Sequence, residues 1–85
     1  MEKFPNLKDG QFTVVIADGA TGYLLNHKGE IYQNNSADEV YWSFDNLDLA
    51  KDFVKERSRL NEKIEFLIYD KNQTIVEFIK AKHWN

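Results

Sequence analysis

The sequence predicts an α+β fold, in which a mainly antiparallel β-sheet of five or six strands carries one α-helix, at about residues 46–60, on one of its faces. Three observations predict it. Several segments are rich in β-branched and aromatic residues, only one segment has helical periodicity, and every strand connection is hairpin-short. Because 85 residues make one small domain, we expect a single unit over 1–85, with 1–10 a flexible lead-in and 81–85 a tail.

The early strands are predicted from composition and turn chemistry. Residues 11–17, with their β-branched and aromatic side chains, form the first strand. Residues 23–26 and 30–33 flank a turn in which Gly29 suits the left-handed position, which predicts a second hairpin. Residues 39–44 are either a short strand or an extended arm that leads into the helix.

The helix is predicted from capping and periodicity. Asp45 or Asn46 can cap it, Asp48 places an acid in the first turn, and Asn61 ends it. One stripe recurs at three- and four-residue spacing and is expected to face the sheet. Its residues are Leu49, Ala50, Phe53, Val54, Arg57 and Leu60.

The last hairpin, 63–69 with 74–80, has apolar residues on both faces. Since one helix covers one face, the other needs separate cover. We expect the helix to cover Phe66, Ile68, Val76 and Phe78. The residues then expected to face outward, and to serve in self-association, are Leu67, Tyr69, Ile75 and Ile79.

Three arrangements can cover that outward face. The first is a two-fold homodimer, which buries a patch against itself and is the commonest kind of oligomer. The second is a curled sheet whose edges or N-terminal lead-in fold over the face, with Phe4 and Trp84 as lids. The third is a different protein partner. We predict the homodimer and keep the other two as alternatives.

Composition narrows the classes of function. The chain has no cysteine and a formal net charge of −3, and its basic residues are dispersed. Nucleic-acid binding needs a basic stripe, and no stretch has transmembrane length. The N-terminus lacks the apolar run of a signal peptide. We therefore expect a cytoplasmic, soluble protein that binds neither nucleic acid nor membrane.

No motif supports a catalytic, cofactor or metal site. His27 and His83 have no ligand spacing and are expected in an exposed turn and tail. The glycines at 19–22 lack a phosphate-loop pattern and no helix follows them. The serines lack a nucleophile context. We therefore predict a protein that is not an enzyme and has no cofactor.

An acidic-aromatic segment before the helix is the candidate partner-binding surface. Tyrosine and tryptophan are over-represented in binding hot spots, and carboxylates offer complementary charge to a basic partner. The alternative is that the aromatic residues are core. The candidate residues are Asp38, Glu39, Tyr41, Trp42, Asp45 and Asp48.

Residues 18–31, with the sequence DGATGYLLNHKGEI, resemble the hairpin of bacterial Trp-Gly repeat proteins. That family carries repeated copies and is thought to act in binding. Here there is one copy, and Thr21 stands in the position of the family's tryptophan. The resemblance implies a hairpin.

In size, charge and architecture the chain resembles the small acidic α+β proteins that bacteria encode as toxin-immunity partners. We therefore hypothesise a non-enzymatic bacterial protein-binding module, in concrete form an immunity-type inhibitor. The alternative is a small-ligand-binding protein or minor enzyme with an apolar pocket between helix and sheet, which needs a cavity of about 300 Å³. A third alternative is a purely structural subunit of a larger assembly.

Overall fold

The computed structural model describes residues 4–33 and 39–82. One helix and a set of antiparallel strands follow each other along the chain. They are β1 (Phe12–Asp18), β2 (Leu24–Leu25), β3 (Tyr41–Phe44), α1 (Leu47–Leu60), β4 (Ile64–Tyr69) and β5 (Ile75–Ile79). The α+β class with a single helix is confirmed for these residues.

The sheet is four strands wide, in the order β2-β1-β4-β5. All of these pairings are antiparallel. β4 lies along almost the whole of one edge of β1. β2 and β3 share the other edge, with β3 beside the first half of β1 and β2 beside its end. The expected width of five or six strands is therefore not confirmed.

The expected second hairpin is reduced to a short strand and one bridge. β2 contains two residues, and Leu25 pairs with Ile31 through an isolated bridge. The turn between them matches the prediction, because Gly29 has a φ of +83° in the left-handed region. The Asn26 side-chain oxygen accepts hydrogen bonds from the backbone N–H groups of Lys28 and Glu30, which fixes the turn locally.

The helix begins and ends close to its expected bounds. Asn46, and not Asp45, is the N-cap, and its side chain accepts a 2.9 Å hydrogen bond from the backbone N–H of Leu49. Asn61 is the C-cap. The predicted stripe is wrong at its margins, since Leu49 and Leu60 are exposed. The buried helix residues are Ala50, Val54 and Ser58.

The core lies between α1 and one face of β1, β3 and β4. Alternate residues of the strands point toward the helix, as strand geometry requires. Phe66 and Ile68 are completely buried there, as predicted. The buried residues of this cluster are Val14, Ile16, Ala50, Val54, Ile64, Phe66 and Ile68.

The N-terminal segment contacts the opposite face of the sheet. The Phe4 ring packs edge-on against Tyr41 at 5.5 Å and against Tyr69 at 5.9 Å between ring centroids. This arrangement matches the expectation that Phe4 acts as a lid. The other expected lid, Trp84, lies outside the described residues, as does His83.

The β5 register differs from the prediction. Phe78 pairs with Leu67 and Ile79 pairs with Phe66, and cross-strand partners share a face. Ile79 therefore packs against the core, whereas Phe78 lies on the face away from the helix. The expectation that Ile79 faces outward, and that Val76 and Phe78 lie beneath the helix, is wrong. The register shifts between Ile68 and Tyr69, so that Tyr69 pairs with Ile75.

The N-terminal segment is also tied to the β4–β5 turn, by an ion pair between Asp9 and Lys71. The hydrogen bond from Lys71, reinforced by its positive charge, holds the pKa of the Asp9 carboxyl below its usual 3.8. A lowered pKa means that the folded state favours the ionised carboxylate. The stabilisation is thus present above that value and is lost as the pH falls through the folded-state pKa.

We expect Asp9→Asn to lower the urea midpoint of unfolding slightly near neutral pH, because the pair is solvent-exposed. Well below the usual pKa of an aspartate, the variant and the wild-type protein should unfold at the same midpoint. Asp52→Asn, at an exposed position of α1, serves as the matched control. A difference that persists unchanged in acid would contradict the assignment.

Candidate functional site

The predicted partner-binding residues do not form one surface. Tyr41 and Trp42 are neighbours in β3, so their side chains lie on opposite faces of the sheet. Tyr41 contacts Phe4 on the face away from the helix, whereas Trp42 contacts Phe53 of α1. Trp42 also packs against the core, in agreement with the alternative that it is a core residue.

The acidic residues of the predicted partner-binding surface have different local environments. Glu39 is exposed and places a carboxylate oxygen 3.4 Å from Nδ1 of His27. Asp45 accepts a 3.1 Å hydrogen bond from the Gln11 side chain. Asp48 is exposed in the first turn of α1. Asp38 lies outside the described residues.

The predicted self-association residues are likewise divided. Leu67 and Tyr69 are half-buried, and Tyr69 is in contact with Phe4. Ile75 is 51% exposed, and the strand that carries it also exposes Val76 (47%) and Phe78 (48%). We call the set Leu67, Ile75, Val76 and Phe78 the β5 surface.

A second site, which the sequence did not predict, centres on the Trp42 ring. His27 stacks on that ring with 3.8 Å between centroids and 26° between the ring planes. Phe53 lies 5.0 Å away from Trp42 and 5.0 Å from Phe44. The expectation that His27 is an exposed turn residue is wrong, because it is half-buried in this stack.

Hydrogen bonds hold the His27 ring in place. Its Nε2 lies 2.8 Å from the backbone carbonyl oxygen of Tyr41, so Nε2 carries the hydrogen and donates it. Its Nδ1 faces the Glu39 carboxylate, and its backbone N–H donates to the Glu39 carbonyl. The hydrogen bonds from Nε2 and from the backbone N–H fix the ring, and the residue acts as a support for Trp42.

Arg57 lies over the same aromatic group. Its guanidinium carbon is 4.8 Å from the centroid of the Trp42 ring and 4.9 Å from that of Phe53, the geometry of a cation–π contact. Within the described residues, no acceptor forms a hydrogen bond or ion pair with this guanidinium. The half-buried cation therefore keeps unused donors.

The indole of Trp42 has a polar atom that the fold does not satisfy. Its Nε1 is buried, and no described residue accepts a hydrogen bond from it. Buried donors are nearly always paired, since an unpaired one destabilises the folded state.

A cavity of about 170 Å³ opens beside Trp42, between the end of α1 and the turn after β2. Its lining combines aliphatic side chains with a few polar ones. The lining residues are Ile16, Leu25, Asn26, His27, Gly29, Trp42, Arg57, Leu60, Asn61 and Ile64. The cavity is smaller than the roughly 300 Å³ that the ligand-binding alternative requires.

Within the described residues, no three His, Cys, Asp or Glu side chains are grouped so as to hold a metal ion. In the same part of the chain, no helix has the length and apolar character needed to cross a membrane. Comparisons of the chain with protein-family models, with curated proteins and with solved structures found no match.

Proposed function

We propose that this protein is a non-enzymatic protein-binding module and that the β5 surface is its contact surface. The observation that carries the proposal is the row of three half-exposed apolar side chains, Ile75, Val76 and Phe78, on one strand. Contiguous exposed apolar groups on a small domain are typical of interaction sites.

The fold leaves β5 without cover except at Ile79, which packs against the core. The helix packs on β1, β3 and β4 but not on β5. Its described link to β5 is an exposed ion pair, 3.4 Å between Lys51 and Glu77. β5 is also the last strand of the sheet, and no other described strand pairs with its outer edge. An open strand edge offers backbone donors and acceptors to a further strand.

The occupant that we propose is a second copy of this chain. Two β5 strands can pair antiparallel about a two-fold axis, and the β5 surfaces of the two copies then lie side by side on one face of the continuous sheet. Charge does not oppose this contact although the chain has a net charge of −3. The exposed side chains are apolar, and Glu77, the acid within the strand, is already paired with Lys51.

The same module would bind a second partner, through residues outside the β5 surface, as an immunity-type inhibitor in the bacterial cytoplasm. Its support is the negative net charge, the lack of cysteine and the exposed carboxylates of Glu39 and Asp48. Those groups would meet a basic toxin, and complementary charge accelerates such encounters. Binding of the toxin should then weaken as the salt concentration rises. An affinity for the toxin that does not change with salt would contradict this part of the proposal.

We expect light scattering at micromolar concentration to give twice the chain mass of 10.0 kDa. Phe78→Lys and Val76→Lys should each reduce the mass to that of one chain, because a charge would be buried in the contact. Tyr23→Lys is the matched control, since Tyr23 is an exposed aromatic residue outside the β5 surface.

Two outcomes would contradict the proposed dimer. One is a wild-type mass of 10.0 kDa throughout the concentration range. The other is a dimer that persists in both lysine variants, or that dissociates equally in Tyr23→Lys. Circular dichroism of each variant would establish that the chain remains folded.

A further inference from the structure

We infer that the cavity beside Trp42 is a binding site for a small aliphatic carboxylate, whose charged group pairs with the Arg57 guanidinium while its carbon chain packs on the apolar lining. This inference does not depend on the β5 surface. It assigns the ligand-binding alternative to a defined cavity. The ligand is smaller than the one for which a cavity of about 300 Å³ was expected.

The charge of the cavity selects an anion. Arg57 is the one lining residue with a permanent charge, and none of the lining residues is acidic. Glu39, whose carboxylate faces the lining residue His27, is not itself among the lining residues. A negatively charged ligand would therefore meet an uncompensated cation at the cavity wall.

The position of Arg57 is suited to a carboxylate. Its contacts with the Trp42 and Phe53 rings hold the guanidinium in place and leave its N–H groups available. A planar guanidinium matches the two oxygens of a carboxylate in a bidentate pair. Because the fold already restricts this side chain, ligand binding would order it little further.

The rest of the lining favours an organic ligand over a bare ion. Leu25, Leu60 and Ile64 supply aliphatic surface, and the Trp42 ring adds an aromatic wall. The volume of about 170 Å³ is close to that of an engineered cavity, about 150 Å³, that binds benzene. A carboxylate with a short branched chain satisfies both the cation and the apolar surface.

The test uses isovalerate as the probe and backbone amide NMR of the full-length chain as the readout. We expect saturable shifts at Leu25, Gly29 and Asn61 with isovalerate. Isovaleramide, the neutral isostere, and inorganic phosphate should cause no saturable shift at these residues. Isovaleramide distinguishes a carboxylate site from a purely apolar cavity, and phosphate distinguishes it from a site that binds any anion.

Substitutions of two arginines on α1 test which positive charge the carboxylate pairs with. Arg57→Gln should weaken isovalerate binding by about tenfold or more, the effect expected when a charged hydrogen bond is lost. Arg57→Lys keeps the charge without the fork and should weaken binding less. Arg59→Gln is the control, because Arg59 is exposed and paired with Glu56 at 2.7 Å, and it should bind as the wild-type protein does.

Several results would overturn the inference. They are a lack of saturable shifts with isovalerate, equal binding of isovaleramide or phosphate, and an equal loss of affinity in Arg57→Gln and Arg59→Gln. The amide spectrum of each variant also reports whether the fold is retained. If Arg57→Gln fails to fold, an isovalerate affinity that is unchanged in Arg57→Lys would overturn the inference.

Discussion

Phe66→Ala should lower the free energy of unfolding by about 3–5 kcal/mol, the range for removing a buried aromatic ring and leaving a cavity. Phe66 has no exposed surface and lies in the cluster between β4 and α1. Small domains have unfolding free energies of about 5–15 kcal/mol, so this loss removes a large part of the total. Urea unfolding followed by circular dichroism measures it.

The control for Phe66→Ala is Tyr23→Ala, which removes an aromatic ring that is 60% exposed. A surface substitution of this kind should change the unfolding free energy by no more than about 0.5 kcal/mol. Equal losses in the two variants would mean that the core does not lie where the β1–β4 register places it.

Ala50→Leu should cost about 1–3 kcal/mol, because the added atoms have no space. Ala50 is completely buried at the contact of α1 with the sheet. Intrinsic helix propensity is nearly the same for alanine and leucine, so the loss reports packing and not helix formation. The same urea experiment measures the change.

Lys55→Leu is the matched control for Ala50→Leu, since Lys55 is an exposed position of the same helix. We expect its unfolding free energy to stay within about 0.5 kcal/mol of the wild-type value. A neutral Ala50→Leu would indicate that the helix does not approach the sheet closely at this point.

Local signals in the sequence predicted the helix and the last hairpin, and the structure has both. The capping amide of Asn46 and the spacing of Ala50 and Val54 determine the helix from its own residues. The register of β5 is not determined by local signals in the same way. A strand with polar residues on one face aligns itself by that pattern, whereas β5 has apolar residues on both faces. Because of that ambiguity, the sequence predicts Phe78 on the helix side and Ile79 on the outward side, whereas the structure has them the other way round.

The site around Trp42 was not predictable from local patterns, because its members are far apart in the chain. His27 comes from a turn, Trp42 from β3 and Arg57 from α1, and only the tertiary fold brings them together. The division of Tyr41 from Trp42 could have been predicted, since adjacent strand residues face opposite ways. The sequence of residues 39–44 is compatible with a short strand and with an extended arm, and the structure has a strand at Tyr41–Phe44.

The central claim is that the β5 surface is where one copy of this chain meets another. An isotope-filtered NOE experiment on a mixture of labelled and unlabelled protein tests it most directly, because it detects only contacts between copies. We expect intermolecular NOEs from Val76 and Phe78, and none from Tyr23 or Ile31, which are exposed elsewhere. Intermolecular NOEs confined to other residues, or their absence at millimolar concentration, would contradict the claim.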